Sequence, residues 1–192
     1  TPLFLIVIFT SSASYAKKAA IVIDFDTKEV LFEVNANTKN YPASLTKIMT
    51  LYILFDRLEK KQITNQTKLK VSRIAASRSP SKLYLEEGST IKVEDAIMAL
   101  IIKSANDVAT VVAENISGTE KDFAKLMTSY ARNLGMDSTT FKNASGLPNR
   151  AQLTTARDIS ILSHALISNF PKQYKLFNTQ KFTYKGKTYK TH

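Results

Sequence analysis

The most informative segment of the sequence for the fold is Tyr41-Pro-Ala-Ser-Leu-Thr-Lys-Ile-Met-Thr-Leu-Tyr-Ile-Leu-Phe-Asp56. From Ser44 onward its apolar residues recur at helical spacing around most of the helix circumference. Apart from Lys47, charged residues begin only at Asp56. A helix that is apolar on nearly every side belongs in a protein core. The sequence therefore predicts a buried central helix that begins at Ser44, directly after a proline.

The lysine inside this apolar stretch, Lys47, is the unusual feature. A serine at the head of a helix lies near the positive end of the helix dipole, which stabilises a developing alkoxide. A residue three positions further on lies on the same helix face. If that face is desolvated, the pKa of the lysine falls and its amine can act as a general base. Ser44 could instead merely cap the helix, which explains the serine but not a buried lysine.

The Ser-x-x-Lys spacing is weak evidence by itself, because it occurs four times in the chain. The match at Ser14 straddles a predicted cleavage point, and the match at Ser79 contains a proline. The match at Ser89 is predicted to be extended, so its two side chains need not share a face. Only Ser44 heads a long apolar helix. The helix, rather than the spacing, therefore makes Ser44 and Lys47 the candidate nucleophile and base.

A second candidate motif is Ser104-Ala-Asn106, the only Ser-x-Asn in the chain. It interrupts two strongly apolar helices that are predicted over residues 93–103 and 108–116. Polar side chains at such a break can point out of a loop that buried elements hold in place. Helix capping explains Ser104 and Asn106 equally well, so both interpretations stay open at this point.

Hairpin patterns stand on both sides of the helices, over residues 19–34 and 182–190. An amphipathic helix is predicted over residues 121–134, with Gly135 at its end. Another is predicted over residues 155–168, opening with a capping box. Hairpins at both ends with helices between them predict a mixed α/β domain whose antiparallel sheet is assembled from distant segments.

The composition excludes several classes of site. The chain has no cysteine, which rules out a disulfide scaffold, a thiol nucleophile and a thiolate metal site. With only His164 and His192, it cannot build a histidine-rich metal site, and His164 is expected to be an ordinary helix residue. The net charge of +11 is spread along the chain, unlike the clusters of a nucleic-acid-binding module. The positive charge then implies a weak attraction to an anionic envelope polymer or membrane surface.

The first sixteen residues differ from the rest of the chain. Residues 3–9 are continuously apolar and residues 10–15 are small and polar, with Ser14 and Ala16 at positions −3 and −1 of a cleavage point. This pattern is typical of a secretory signal, and the apolar run is too short to span a membrane comfortably. We expect an exported protein of the periplasm or cell envelope, with a partial signal at 1–16 and a catalytic domain at 17–192. A retained N-terminal anchor is the alternative.

Taken together, the two motifs resemble the first two signatures of the penicillin-recognising serine enzymes. The sequence around the two motifs is more specific for one family. The segments 41–50, 87–88, 103–107 and 143–147 resemble the D-alanyl-D-alanine carboxypeptidases, serine peptidases among the low-molecular-weight penicillin-binding proteins. The resemblance runs from about Ala19 to the end. It implies a β-lactamase/DD-peptidase-like fold, with an antiparallel sheet beside a helical subdomain and the site at their junction.

The resemblance implies a reaction at the D-Ala-D-Ala terminus of a peptidoglycan stem peptide. Ser44 would attack the penultimate carbonyl, Lys47 would take its proton, and the Ser44 N–H would form half of an oxyanion hole. Ser104 would relay a proton to the departing D-alanine, while Asn106 would bind the substrate amide and tether Lys47. β-Lactams would acylate Ser44 as mimics of that terminus. The resemblance implies no metal or cofactor.

One family motif, a Lys-Thr-Gly strand that binds the substrate carboxylate and completes the oxyanion hole, does not occur in these 192 residues. Lys187-Thr-Tyr and Lys190-Thr-His are not substitutes, because a glycine is needed where substrate backbone lies close to the strand. We therefore expect a C-terminally truncated domain with little or no carboxypeptidase activity. The alternatives are a peptidoglycan endopeptidase, a decayed envelope-binding fragment and a class A-like β-lactamase, which would carry Ser-Asp-Asn in place of Ser104-Ala-Asn106.

Overall fold

The computed structural model describes residues 18–191, so the predicted signal at 1–16 lies outside the described residues. The α-helices are α1 (Thr46–Glu59), α2 (Arg73–Ser77), α3 (Val93–Met98), α4 (Asn106–Ser117), α5 (Glu120–Leu134), α6 (Ala156–Asn169) and α7 (Pro171–Tyr174). The strands are β1 (Ala20–Ile23), β2 (Val30–Val34), β3 (Lys68–Lys70), β4 (Thr90–Lys92), β5 (Lys181–Tyr184) and β6 (Lys187–Lys190). Short helical turns cover Ala43–Leu45, Ala99–Lys103 and Lys175–Asn178. Within the described part of the chain, none of the helices combines the length and apolar character that crossing a membrane requires.

The central helix α1 confirms the buried helix that the sequence predicts, but it begins at Thr46 rather than at Ser44. Ser44 lies in the 3₁₀ turn Ala43–Leu45 that leads into the helix. Every side chain from Met49 to Phe55 is buried, because α4, α5 and α6 surround α1. This enclosure explains why α1 shows no polar face before it emerges near its C-terminal end.

The helix predicted over residues 93–103 is divided in two. Helix α3 ends at Met98, and a π-helical turn continues over Ala99–Lys103. The Ala105 N–H donates to the Ala99 carbonyl at 3.3 Å, which closes a ring wider than that of an α-helix. Single π-helical turns occur frequently at functional sites. This one leaves Ser104 in the left-handed conformation, at φ 52°, directly before α4.

Helices α5 and α6 have the ends that the sequence predicts. Gly135, at φ 86°, terminates α5, and the Thr155 hydroxyl accepts a hydrogen bond from the Asp158 N–H at the start of α6. His164 is an ordinary residue of α6, as expected, and its Nε2 lies 3.1 Å from the Phe25 carbonyl oxygen. The histidine therefore links α6 to the segment that follows β1.

The strands form three separate antiparallel pairs, β1–β2, β3–β4 and β5–β6. Both terminal hairpins are present, but among residues 18–191 they do not pair with each other. The mixed α/β fold with antiparallel strands is confirmed, but within these residues each strand pair is separate and no sheet joins the two terminal hairpins. Alternation along a strand shows which face is buried, but it does not identify the neighbouring strand. Hairpin β5–β6 contacts the π-helical turn Ala99–Lys103 and buries Phe182 and Tyr189.

Candidate active site

Lys47 is the most firmly held group of the site. Its side chain is buried, with 4% of its surface exposed. Its ammonium nitrogen Nζ donates to Asn106 Oδ1 at 2.8 Å and to the Ser145 carbonyl oxygen at 2.6 Å. Among the described residues, no carboxylate oxygen lies within 4.0 Å of this nitrogen. The amine is therefore held in place by neutral acceptors.

The electrostatic consequence of this burial is a large pKa shift. Burial lowers the pKa of Lys47 from 10.5 to about 8, because the charged form loses its hydration. A substantial fraction of the side chain is then a neutral amine near pH 8. A neutral amine in a fixed position can accept a proton from a neighbouring hydroxyl. Lys47 thus has the electrostatic property that a general base requires.

Ser44 is exposed in a cleft of about 530 Å³ that Lys47 and Ser104 also line. The structure therefore brings three of the predicted residues to one surface. Ser44 does not cap α1, since the N-cap position is Leu45 and the cap lacks a side-chain hydrogen bond. The capping interpretation of this serine is therefore wrong. Its hydroxyl is left available to the cleft.

Asn106 joins Lys47 to a second loop. While its Oδ1 accepts from Lys47, its Nδ2 donates to the Ser79 carbonyl at 3.2 Å and its backbone N–H donates to the Ser81 carbonyl at 2.7 Å. The contact with Lys47 is the tether that the resemblance implied. Neither Ser104 nor Asn106 caps α4, whose N-cap is Ala105 without a side-chain bond. Both side chains of the Ser-x-Asn motif are thus free of the capping role.

Sequence reasoning gave no role to Ser145, whose carbonyl is the second acceptor for Lys47. Its position follows from a tight turn over residues 143–147. The Asn143 side-chain oxygen Oδ1 accepts from the Gly146 N–H at 2.7 Å and from the Ser145 N–H at 3.3 Å. The sequence signal was the resemblance of this segment to the family, but only the fold shows that its backbone reaches Lys47.

The peptide groups of Ala144 are fixed from two directions, which further orients the Ser145 carbonyl. Thr50 Oγ1 donates to the Ala144 carbonyl at 2.7 Å. The Ala144 N–H donates to Glu120 Oε1 at 3.2 Å, and Glu120 is itself paired with Arg78. A buried carbonyl and amide with such partners have little freedom to move. The turn is thereby clamped to α1 and α5.

Gly146 lies directly against the backbone that leads to Ser44. It has φ 88°, and a Cβ atom at this position would stand 1.8 Å from the Ala43 carbonyl oxygen. Ala43 also has a positive φ, 46°. No side chain other than hydrogen fits such an approach. The 143–147 turn therefore supports both Lys47 and the turn that carries Ser44.

Asp107, which follows Asn106, anchors the loop over residues 79–85. Its buried carboxylate accepts hydrogen bonds from the Leu83 N–H at 3.0 and 2.9 Å and from the Leu85 N–H at 3.2 Å. Backbone donors of this kind stabilise a carboxylate without a cationic partner. The sequence motif points to Ser104 and Asn106, and the anchoring role of Asp107 was not predicted.

The groups that meet in the cleft are hydroxyls, an amine and an amide. Within residues 18–191, no three His, Asp or Glu side chains lie together as candidate metal ligands. An exposed hydroxyl and a buried amine of lowered pKa that line one cleft are the two groups that activation of a serine nucleophile requires. The geometry therefore suits acyl transfer through a serine ester.

Comparison with known proteins identifies a family with this chemistry. The family model described as D-alanyl-D-alanine carboxypeptidase matches residues 7–192. The carboxypeptidase DacF of Bacillus subtilis is 37% identical over 158 residues, which cover 82% of this chain and 41% of that protein. The match is therefore nearly complete for this chain but partial for its relative.

Solved structures give the same result for the fold. The carboxypeptidase DacD from Francisella tularensis has a TM-score of 0.86 at 32% identity, covering 97% of this chain and 45% of that one. Penicillin-binding protein D2 from Listeria monocytogenes, solved in its ampicillin-bound form, has a TM-score of 0.80 at 32% identity, covering 90% and 71%. The mixed α/β fold is thus that of the penicillin-binding proteins, and the chain belongs to the D-alanyl-D-alanine carboxypeptidase family.

Proposed function

We propose that this site is the acylation site of a serine-type D-Ala-D-Ala carboxypeptidase, which removes the terminal D-alanine from peptidoglycan stem peptides. The observation that carries the proposal is the buried amine of Lys47. Neutral acceptors hold it at 2.6 and 2.8 Å, and it lines the same cleft as the exposed Ser44. The relatedness to the carboxypeptidase DacF supports the substrate class, and the ampicillin-bound form of the Listeria protein supports β-lactam recognition.

In the proposed reaction, the neutral amine of Lys47 takes the proton of the Ser44 hydroxyl as its oxygen bonds to the penultimate carbonyl carbon. The Ser44 N–H donates to the developing oxyanion. Ser104 then passes its hydroxyl proton to the D-alanine nitrogen as the peptide bond breaks, and it takes in exchange the proton held by Lys47. This leaves an ester on Ser44, a hydroxyl on Ser104 and a neutral amine on Lys47. Water hydrolyses this ester and restores the hydroxyl. Asn106 keeps Lys47 in position throughout.

Covalent labelling with a fluorescent penicillin tests the acylation step. We expect one label per chain, on the peptide that contains Ser44, and complete loss of labelling in Ser44→Ala. Ser89→Ala is the matched control, because Ser89 begins another Ser-x-x-Lys and its hydroxyl is bonded to the Glu86 carbonyl at 2.6 Å. Persistent labelling of Ser44→Ala would overturn the proposal.

We also propose that these 192 residues, taken alone, have little or no carboxypeptidase activity. They contain no Lys-Thr-Gly, the motif that the family uses to bind the substrate carboxylate and complete the oxyanion hole. Incubation with a defined muropeptide would show whether D-alanine, a cleaved crosslink or neither is released. Rapid release of D-alanine would contradict this second proposal, and cleavage of a crosslink would favour an endopeptidase.

The proposed cellular location is the periplasm or cell envelope. It is supported by the apolar run at 3–9 and the small residues Ser14 and Ala16. If the signal is processed, the secreted protein begins at Lys17. Mass spectrometry of the exported protein tests this, and a protein that retains residues 1–16 would favour the anchor alternative.

A further inference from the structure

Two lysines and two tyrosines come together on the loop over residues 79–85 and on hairpin β5–β6. The ammonium groups of Lys82 and Lys187 each lie 5.3 Å from the ring centroid of Tyr84. Lys187 also lies 5.5 Å from the ring of Tyr189. Tyr84 is 65% exposed. These four residues, here called the Lys–Tyr cluster, present two cations and an aromatic face to solvent.

The loop side of the cluster is tied to the candidate active site. Tyr84 has φ 63°, a conformation that is unfavourable for a residue with a large side chain. The N–H groups of its neighbours Leu83 and Leu85 are both bonded to Asp107. Asp107 directly follows Asn106, the residue that holds Lys47. The exposed ring is therefore presented by a turn that is anchored one residue from the active-site tether.

The hairpin side of the cluster packs against the backbone segment that precedes Ser104. Strand β6, which carries Lys187, contacts the π-helical turn Ala99–Lys103. That turn leads directly to Ser104. The loop also reaches it, since the Ser81 hydroxyl donates to the Lys103 carbonyl at 2.8 Å. Both halves of the cluster thus rest on the segment that positions Ser104.

The two ammonium groups of the cluster have no ion-pair partner within the described residues. No carboxylate oxygen of residues 18–191 lies within 4.0 Å of the ammonium nitrogen of Lys82 or Lys187. The hydrogen bond that Lys82 makes is to a neutral group, the Ala76 carbonyl, at 3.1 Å. Two ammonium groups that each face the exposed Tyr84 ring, and that have no carboxylate within ion-pair distance, attract a negatively charged group from outside the described residues. The matching ligand is therefore an anion.

We propose that the Lys–Tyr cluster is a subsite for a peptide carboxylate of the substrate, N-terminal to the D-Ala-D-Ala end. Lys82 and Lys187 bind the carboxylate, and the Tyr84 ring packs against the peptide beside it. The inference rests on the proposed function, because that function makes the occupant of the cleft a peptide. It adds selection for stem peptides that carry a free carboxylate over those in which that group is amidated.

Binding of two matched peptides tests the subsite. One is a pentapeptide L-Ala-γ-D-Glu-L-Lys-D-Ala-D-Ala, and the other is the same peptide with the glutamate α-carboxylate amidated. Titrations followed by NMR use the full chain with Ser44→Ala, so that no turnover occurs. We expect the acidic peptide to bind about fivefold more tightly, and this preference to disappear in Lys187→Ala and in Lys82→Ala. Lys190→Ala, on the same strand and exposed, should retain it.

The outcomes separate this inference from the proposed function. Equal binding of the two peptides, no binding of either at the highest soluble concentration, or a preference that survives both lysine substitutions would each overturn the subsite. Penicillin labelling of Ser44 in the wild-type chain is measured in parallel and does not use the glutamate carboxylate. Intact labelling together with any of those three results rejects the subsite alone, whereas loss of labelling rejects the proposed function.

Discussion

Two segments of this chain share the Ser-x-x-Lys spacing and differ in everything that matters for chemistry. Lys47 is buried and bonded to Asn106 and to the Ser145 carbonyl. Lys92 is 43% exposed and lies 3.3 Å from a carboxylate oxygen of Glu94. The same residue types at the same spacing thus give a desolvated amine in one place and a solvated ion pair in the other.

The difference comes from what surrounds each lysine. Lys47 stands at the start of a helix that is buried on every side, and a loop from almost one hundred residues further along supplies one of its acceptors. Lys92 ends a three-residue strand at the surface. Desolvation shifts a lysine toward its neutral form, whereas a nearby carboxylate favours the charged form. The environment, not the motif, decides which lysine can serve as a base.

Replacing Lys47 and Lys92 separately should give the largest difference between the two segments. We expect Lys47→Ala to slow penicillin acylation of Ser44 about 1,000-fold, because the general base is lost. Lys92→Ala, the matched control, should change the rate less than about twofold, since exposed ion pairs contribute little. Stopped-flow labelling gives both rates, and circular dichroism verifies folding. Equal rates for the two variants would show that burial of Lys47 has no catalytic meaning.

The support behind Ser44 can be tested at Gly146. An alanine there would place Cβ 1.8 Å from the Ala43 carbonyl oxygen, so the backbone must shift. We expect Gly146→Ala to lower the free energy of unfolding by about 4 kcal/mol and to impair labelling. Gly135→Ala is the control, because it has a similar φ of 86° but no atom within 4 Å of the added Cβ, and it should cost about 1 kcal/mol. Urea unfolding measures both, and similar losses would contradict a close approach at Gly146.

The lowered pKa of Lys47 should also make the free energy of unfolding depend on pH. The folded chain loses the Lys47 proton near pH 8 and the unfolded chain near 10.5. Between these values the unfolded state binds more protons, so stability rises with pH, by about 3 kcal/mol in total. Subtracting the profile of Lys47→Met isolates this contribution from those of other groups. A difference profile that is flat from pH 8 to 10.5 would mean that the amine is not desolvated.

The clamp on Ala144 should have a smaller effect. Thr50→Val keeps the shape of the side chain but leaves the buried Ala144 carbonyl without its donor at 2.7 Å. We expect a loss of about 2 kcal/mol in the free energy of unfolding and slower acylation. Thr183→Val removes an exposed hydroxyl pair with Thr188 and should cost less than about 0.5 kcal/mol. Equal losses would show that the clamp contributes nothing beyond a surface hydrogen bond.

Much of the fold follows from local patterns in the sequence. The apolar character of residues 48–55, which only Thr50 interrupts, predicts α1, and Gly135 predicts the C-terminal end of α5. The hairpins follow from alternation and turn residues. The π-helical turn Ala99–Lys103 was missed, because an apolar run does not reveal how its backbone hydrogen bonds are spaced. The separation of the strands into three pairs was missed because pairing partners are set by tertiary packing.

The candidate active site also contains residues that the sequence predicts and groups that it does not. Ser44, Lys47, Ser104 and Asn106 were named from the sequence because their motifs stand at the ends of buried helices. Their arrangement depends on groups that sequence reasoning did not assign, since the Ser145 carbonyl acts through its backbone and is independent of its side chain. Long-range backbone contacts of this kind leave no periodic pattern in the sequence.

The most direct test of the central claim is the pKa of Lys47 itself. Lysine labelled with ¹³C at Cε gives one NMR signal per side chain, and the signal that Lys47→Arg removes identifies this residue. We expect this signal to titrate with a midpoint of about 8 in the folded chain. A midpoint near 10.5, the ordinary value for a lysine, would contradict the claim that burial turns Lys47 into a base for Ser44.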